Sequence, residues 1–408
     1  MPKLRLRFKL DILLTDVKFN AIILTYKIIG FLCMITIGKY IQQPGGYKAF
    51  VPEKFPPAKL FFNNPRILKL SGDASLLLGK LDGLTKLLPD IDFFILMYIR
   101  KEATYSSQVE GTKARLTDAL QAEVDRTPEL PDDVDDILHY IDAMNKGLNK
   151  LHDIPLSLRL IREVHKTLLS GARSSFNPQP GEFRKSQNWI SGTSPADARF
   201  VPPPQEHVLS AMGDLENFFY SNDEMPVLIK AALIHSQFET VHPFLDGNGR
   251  TGRLLITFYL CQQGVLERPV LYLSGYFKKH REMYFSMLEE YRKGNVGAWL
   301  EFFLKGIIQV AKEAISISNK IVDLRERDIH KVSMLGRAAK NSVLLIKELY
   351  RVPIINVKKV ENALGLSREA ANNLVKRFVD LNLLVPKEKA KKYGRLFIYK
   401  DYLAIFES

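Results

Sequence analysis

The chain of 408 residues contains two cysteines, Cys33 and Cys261. So few thiols exclude a disulfide-stapled fold, and a reducing, cytoplasmic setting is expected. No Cys/His cluster has zinc-ligand spacing, and H-E-x-x-H is missing. The phosphate loop G-x-x-x-x-G-K-[ST] is absent, as are the V-A-I-K, H-R-D and D-F-G elements that a kinase glycine loop requires. No small-residue cleavage site follows the one long apolar run, residues 21–38, so it makes a poor signal peptide. Lys27 interrupts that run, and its 18 residues sit at the lower edge for a membrane span, so a membrane partner is not expected. Net positive charge is scarce through most of the chain. Of a net +13, residues 331–408 carry +9 and residues 1–20 carry +3, which leaves the 310 residues between them near neutral.

What is present is concentrated in twelve residues, His242-Pro243-Phe244-Leu245-Asp246-Gly247-Asn248-Gly249-Arg250-Thr251-Gly252-Arg253. The apolar run Leu254–Leu260 that follows predicts a buried helix ending near Gly264, so the loop opens a helix. The free N–H groups of that first turn, with flexible glycines beside them, make an anion-binding nest. Arg250 and Arg253 lie three apart, near one helical face, where both can reach phosphate oxygens. Asp246 is a hard oxygen ligand suited to Mg²⁺, and His242 titrates near neutral pH and can accept a proton. Together these groups suit a metal-bound triphosphate held beside a base. Gly247–Gly252 also fits the dinucleotide pattern G-x-G-x-x-G, but that reading needs a preceding strand, and Val227 to Thr240 has a helical apolar pattern.

This stretch resembles the signature of the Fic family, H-x-F-x-[DE]-G-N-G-R-x-x-R, at every specified position. The resemblance implies a helical core that transfers AMP from ATP to a hydroxyl of a protein target, or of the protein itself. By that resemblance His242 is the general base, Phe244 anchors the loop and Asp246 holds Mg²⁺. Gly247, Asn248 and Gly249 cradle phosphates, Arg250 contacts them, and Arg253 pairs with the γ-phosphate. Upstream, Phe93 to Val109 reads as a helix with Gly111 as its C-cap. It ends in Ser106-x-x-x-Glu110-Gly111, which resembles the family's inhibitory motif. There the glutamate pairs with the second arginine of the signature, here Arg253. An arginine so engaged cannot also clamp a γ-phosphate, and in some relatives the same glutamate serves removal of AMP. The runs around Asn188-Trp189-Ile190 and Ala198–Pro204, joined through Ser191–Pro195, read as a β-hairpin. In Fic proteins a flap here docks the target chain by strand addition. Tyr284 stands where relatives carry an aromatic near adenine, and its neighbour is Phe285 rather than a second tyrosine.

The C-terminal end has its own pattern. Helices are predicted over Ser342 to Tyr350, Val357 to Ala363 and Arg368 to Leu381, then strands at Leu383–Val385 and Leu396–Tyr399 around the basic loop Lys387–Lys392. This resembles a winged helix, a fold that contacts DNA or serves protein contact and homodimer formation. The expectation is a mainly α chain, a Fic helical core with a small β-hairpin flap plus a C-terminal winged-helix domain. The expected divisions are an N-terminal extension over 1–42, an inhibitory segment over 43–150, a catalytic core over 151–295, a helical connector over 296–335 and the winged helix over 336–408. Resemblance to the family begins near Tyr47, so Met34 is a candidate start. Two alternatives stay open: transfer of another phosphate-linked group such as phosphate, UMP or phosphocholine, and a DNA-binding regulator whose Fic core senses nucleotide.

Overall fold

The computed structural model describes residues 35–57, 64–87, 91–171, 179–222, 224–387 and 394–407. The expectations for residues 1–33 and for nearly all of the basic loop after Lys387 fall outside those residues. The described chain is mainly helical, with two small antiparallel sheets. Within the described residues no helix is long and apolar enough to cross a membrane.

Strands β1 (Gly38–Gln42) and β2 (Lys48–Pro52) form a hairpin, with Gly38 opposite Pro52. The expected division at 42/43 cuts this hairpin. It belongs with the helical body, because Phe50 is buried, donates its N–H to Val201 O at 2.9 Å and sets its ring 5.9 Å from that of Phe200. Helix α1 (Pro65–Leu87) follows, then α2 (Ile91–Val109), whose Phe94, Met97 and Tyr98 are buried. Gly111, at φ +110°, turns the chain out of α2, a conformation few other residues adopt. Next come α3 (Leu116–Ala122), α4 (Val134–Lys150) and α5 (Leu158–Leu168), the last capped by Ser157, which accepts from Leu160 N.

Helices α6 (Gln205–Phe219), α7 (Val227–Val241) and α8 (Asn248–Gln262) form the centre. Every residue of α7 from Leu228 to Val241 is buried, so this helix has no solvent-facing side. Glycine sets the spacing against α8. A Cβ on Gly252 would lie 2.6 Å from Glu239 Oε1, and one on Gly147 of α4 would strike the ring of Phe258. Helices α9 (Ser274–Lys279), α10 (Arg281–Arg292) and the long α11 (Val296–Ser333) complete the body, and α11 lies along α1.

Beyond it come α12 (Ala339–Arg351), β3 (Ile354–Ile355), α13 (Val357–Leu364), α14 (Arg368–Asp380), β4 (Val385–Pro386), β5 (Phe397–Ile398) and α15 (Lys400–Glu407). The sheet order is β3-β5-β4, all antiparallel. Strand β3 and helix α15 were not foreseen, because two apolar residues after a proline and one short amphipathic turn carry little periodic signal. This unit rests on α2: Arg100 Nη1 donates to Arg351 O at 2.8 Å, and the rings of Tyr98 and Phe406 are 5.7 Å apart.

Candidate active site

The loop from α7 into α8 is fixed by its own side chains. His242 ends α7 in the left-handed region, φ 48° and ψ 60°, with its N–H donated to Phe238 O. Asn248 closes the turn: its Oδ1 accepts Phe244 N at 2.8 Å and its Nδ2 donates to Phe244 O at 2.7 Å. That use of the amide differs from the expected phosphate contact and leaves Asn248 only its backbone N–H for an anion. Phe244 is fully buried and stacks on His165, ring centroids 3.6 Å apart and planes 6° from parallel. His165 Nδ1 accepts Gly181 N at 2.8 Å, so its Nε2 carries the proton and donates to Asp246 O at 2.9 Å. Burial pushes its pKa down to about 4, which keeps the ring neutral.

Buried Arg184 binds only main-chain oxygens here. Its Nε donates to His242 O at 2.9 Å, its Nη1 to Ser186 O, and its Nη2 to Pro203 O and Val241 O. Asn188 Nδ2 donates to His242 O at 3.2 Å and to Phe244 O at 2.8 Å. Asn188 is thus a buried strut of the loop, not an exposed docking residue as expected. Trp189 is exposed, and Ile190 makes a single β-bridge to Phe200. The expected hairpin flap reduces to that bridge. Ser191 and Gly192 both have positive φ, Asp197 gathers the N–H groups of Thr193 and Ser194 into a tight turn, and Pro202–Pro204 have no N–H to extend a ladder.

These elements wall a cleft of about 830 Å³. His242, Asp246, Gly247 and Arg253 line it, together with Glu110 and Tyr284. The imidazole of His242 keeps 19% of its surface open, while its Nδ1 is buried without a partner, 3.9 Å from Glu239 Oε2. Burial, reinforced by Arg184 and Arg292, pushes the His242 pKa down to about 3. Burial raises Glu239 to about 7, against the pull of Arg253. Asp246 is half exposed; its Oδ1 accepts Gly247 N at 2.6 Å, and its other oxygen stays open. Arg250 Nη1 lies 3.2 Å from Asp136 Oδ1.

Arg253 is almost completely buried. Its Nε donates to Ser106 Oγ at 2.9 Å, and its Nη2 donates to Ser106 O at 3.0 Å and to Glu110 Oε1 at 2.7 Å. Burial works against its charge, but Glu110 outweighs that and holds its pKa above the ordinary arginine range. The buried Tyr284 hydroxyl donates to His235 Nε2 at 2.8 Å, with His235 Nδ1 donating to Gly252 O. Tyr284 is therefore part of the cleft floor, while Phe285 beside it lies under Arg281. The sequence reading missed His165, Glu239 and any role for Arg184. Each leaves one trace, a polar residue on an otherwise apolar helical face or beside a Gly-Glu-Phe turn.

As to metal, among the described residues no cluster of three or more His, Cys, Asp or Glu side chains is placed to hold an ion. The donor set fits Mg²⁺ only as a shared ion, with one free carboxylate oxygen on Asp246 completed by phosphate oxygens and water.

These features define a helical protein whose glycine-containing loop opens a buried central helix. A "Fic/DOC family N-terminal" profile matches residues 68–149 and a "Fic/DOC family" profile matches residues 155–260. Residues 68–149 and 155–260 thus carry the N-terminal and Fic domains of the Fic/DOC family. A probable protein adenylyltransferase of Aquifex aeolicus is 30% identical over 205 residues, 49% of this chain and 57% of its own length. The protein adenylyltransferase Fic of Aedes aegypti is 29% identical over 172 residues, 41% of this chain and 30% of its own length. The chain thus spans less than three-fifths of these curated relatives. The fold matches the crystal structure of a Fic family protein from Desulfovibrio desulfuricans with a TM-score of 0.54 at 17% identity, covering 83% of this chain and 97% of that one.

Proposed function

We propose that the chain is a Mg²⁺-dependent protein adenylyltransferase that moves AMP from ATP to a Ser, Thr or Tyr hydroxyl of a protein, itself included, in the cytoplasm. The observation that carries this reading is the single cleft in which base, carboxylate, amide nest and buried arginine meet. The triphosphate lies along the N-terminal turn of α8, where backbone N–H groups and the helix dipole favour anions. Asp246 would hold Mg²⁺ together with the phosphates, and the ion supplies charge neutralisation on the leaving group. His242 is neutral at physiological pH and accepts the target hydroxyl's proton; with Nδ1 buried, that task falls to Nε2. The target oxygen bonds to the α-phosphorus, the bond from that phosphorus to the oxygen bridging to the β-phosphate breaks, and pyrophosphate leaves. Burial alone makes His242 a weak base. Glu239 corrects this by placing a carboxyl that ionises near neutral pH beside the imidazolium that forms.

Glu110 sits on the arginine that would otherwise hold the γ-phosphate, so the resting enzyme is inhibited. The same carboxylate, partly in water, can serve removal of AMP. The test uses purified protein and its Glu110→Gly variant with lysate and ATP radiolabelled at either the α- or the γ-phosphate. Protein-bound α-label supports the reading; γ-label alone makes the protein a phosphotransferase and overturns it.

A second reading concerns the C-terminal unit, which we take as a winged helix. The exposed face of α14 carries Arg368, Asn372, Asn373, Lys376 and Arg377, side chains that read base edges and phosphates, within a segment of net +9. Binding to duplex DNA that weakens steeply with salt supports DNA contact. No binding at low salt leaves the unit as a protein contact or homodimer surface.

A further inference from the structure

A second cavity, of about 390 Å³, lies behind α2 and shares no lining residue with the catalytic cleft. Three helices converge on it. Helix α2 contributes Tyr98, Lys101, Glu102 and Tyr105, spaced on one helical face. Helix α9 contributes Gly275, Tyr276, Lys278 and Lys279, and α11 contributes Gln309, Val310, Glu313 and Ile317.

The charge in this cavity is unbalanced. Lys101 Nζ stands 5.7 Å and Lys278 Nζ 4.7 Å from the centroid of the same Tyr105 ring. Lys279 adds a third cation. Of the two carboxylates, Glu102 is buried and already occupied: Tyr140 Oη donates to its Oε1 at 3.1 Å, Ser274 N to its Oε2 at 3.1 Å, and Ser274 Oγ also to Oε1. Burial raises its pKa, against the pull of these donors and of Arg253, and its oxygens are turned to those partners. Glu313 is exposed, accepts from Gln309 Nε2 at 3.0 Å and acts on Lys101 only through space. Burial lowers the pKa of both Lys101 and Lys278, with Glu313 opposing the shift at Lys101. The rest of the wall is apolar or aromatic: Tyr105, Tyr276, Val310 and Ile317. Under it the buried hydroxyls of Tyr98 and Tyr272 have no hydrogen-bond partner.

We infer that this cavity is a second ligand site, for a small molecule with a phosphate or similar compact dianion at the lysines and a flat or apolar body against the tyrosines. Its volume falls within the range of small-molecule sites. A dianion between the half-buried Lys101 and the exposed Lys278 and Lys279 at the cavity mouth supplies counter-charge, while its body reaches the buried tyrosine wall. The assignment stands without the transferase reading. If that reading also holds, the ligand sits on the rear of the helix whose end carries Glu110.

Pyridoxal 5′-phosphate is a suitable probe, because its aldehyde forms an imine with an unprotonated lysine and its phosphate selects for a dianion site. No lysine lines the catalytic cleft, so probe bound there leaves no imine to be mistaken for this cavity. The full-length protein is incubated with the probe, reduced with borohydride, digested and mapped by mass spectrometry. Saturable labelling of Lys101, Lys278 or Lys279, suppressed by inorganic phosphate and at least several-fold weaker with pyridoxal lacking the phosphate, is expected. The doubly substituted Lys101→Gln, Lys278→Gln protein, shown to be folded by circular dichroism, should lose the phosphate-protected label. Equal labelling by pyridoxal, no protection by phosphate, or label spread over surface lysines outside the cavity overturns the inference.

Discussion

Replacing Glu110 by glycine removes a carboxylate from Arg253 but leaves both Ser106 bonds that hold the guanidinium in place. The size of the effect depends on how wet the pair is. The Arg253 side chain is 1% exposed, whereas that of Glu110 is 41% exposed. An exposed pair contributes about 0–1 kcal/mol, and breaking a fully buried pair costs about 3–5 kcal/mol. With its carboxylate partly screened by water, this pair falls toward the lower range, about 1–2 kcal/mol. At about 1.4 kcal/mol per factor of ten, Glu110→Gly should speed AMP transfer roughly ten-fold, rather than the hundred-fold of a dry pair. The measurement is the initial rate of protein-bound label from α-labelled ATP for wild type, Glu110→Gly, Arg253→Ala and the double variant. Arg253→Ala should erase the gain, which makes the two changes strongly non-additive. Equal rates for wild type and Glu110→Gly, with wild type measurably active, refute the lock. A gain that survives in the double variant refutes the role of Arg253.

His242→Ala should abolish transfer while ATP binding, followed by equilibrium dialysis, stays largely intact; wild-type rates in this variant would remove His242 as the base. Asp246→Asn should shift the Mg²⁺ titration of activity to much higher concentration, and an unchanged curve would take Asp246 out of the metal site. Because Glu239 is held near pKa 7, the wild-type rate should rise with pH through neutrality as it ionises. Glu239→Gln should be slower and lose that rise, and a superimposable profile would show that Glu239 does not assist His242. His165 is buried neutral, its pKa lowered from 6.5 to about 4, so the stability it contributes is full above 6.5 and is lost as pH falls toward 4. The loss is about 3 kcal/mol. Denaturant midpoints at the two ends of that window should therefore converge less in wild type than in His165→Asn, and an equal acid loss in both would disprove the assignment.

The parts legible in the sequence were those written as contiguous pattern. The apolar spacing of α2 and its Gly111 terminus define that helix within two residues of its observed ends, and the run behind Arg253 places the end of α8 within two, although α8 begins at Asn248, inside the signature itself. The pairing of Ser106, Glu110 and Arg253 was legible only through resemblance, since nothing local links positions more than a hundred residues apart. Helix α7 was visible as apolar, but Glu239 within it reads as a stray charge, and only packing against Gly252 shows it aimed at His242. His165 reads as a helix-end cation until the fold slides it flat beneath Phe244. The hairpin β1–β2 escaped notice because its strands are short and mixed in polarity, and its reason for existing, the Phe50 contact with Phe200, lies some 150 residues away.

Gly249 carries a consequence for how this protein can change. A Cβ there would collide with the Glu110 carboxylate and lie 3.0 Å from Arg253 Nη1. On the proposed reading, the bare backbone that would receive a phosphate is also the berth of the Glu110 carboxylate, and one anion would substitute for the other. A lineage can silence the brake at position 110 and keep its substrate. It cannot do so at position 249, where any side chain that evicts the glutamate also narrows the seat for the nucleotide. If Glu110 is the proposed brake, regulation is the freely mutable trait here, and the seat at Gly249 is the fixed one.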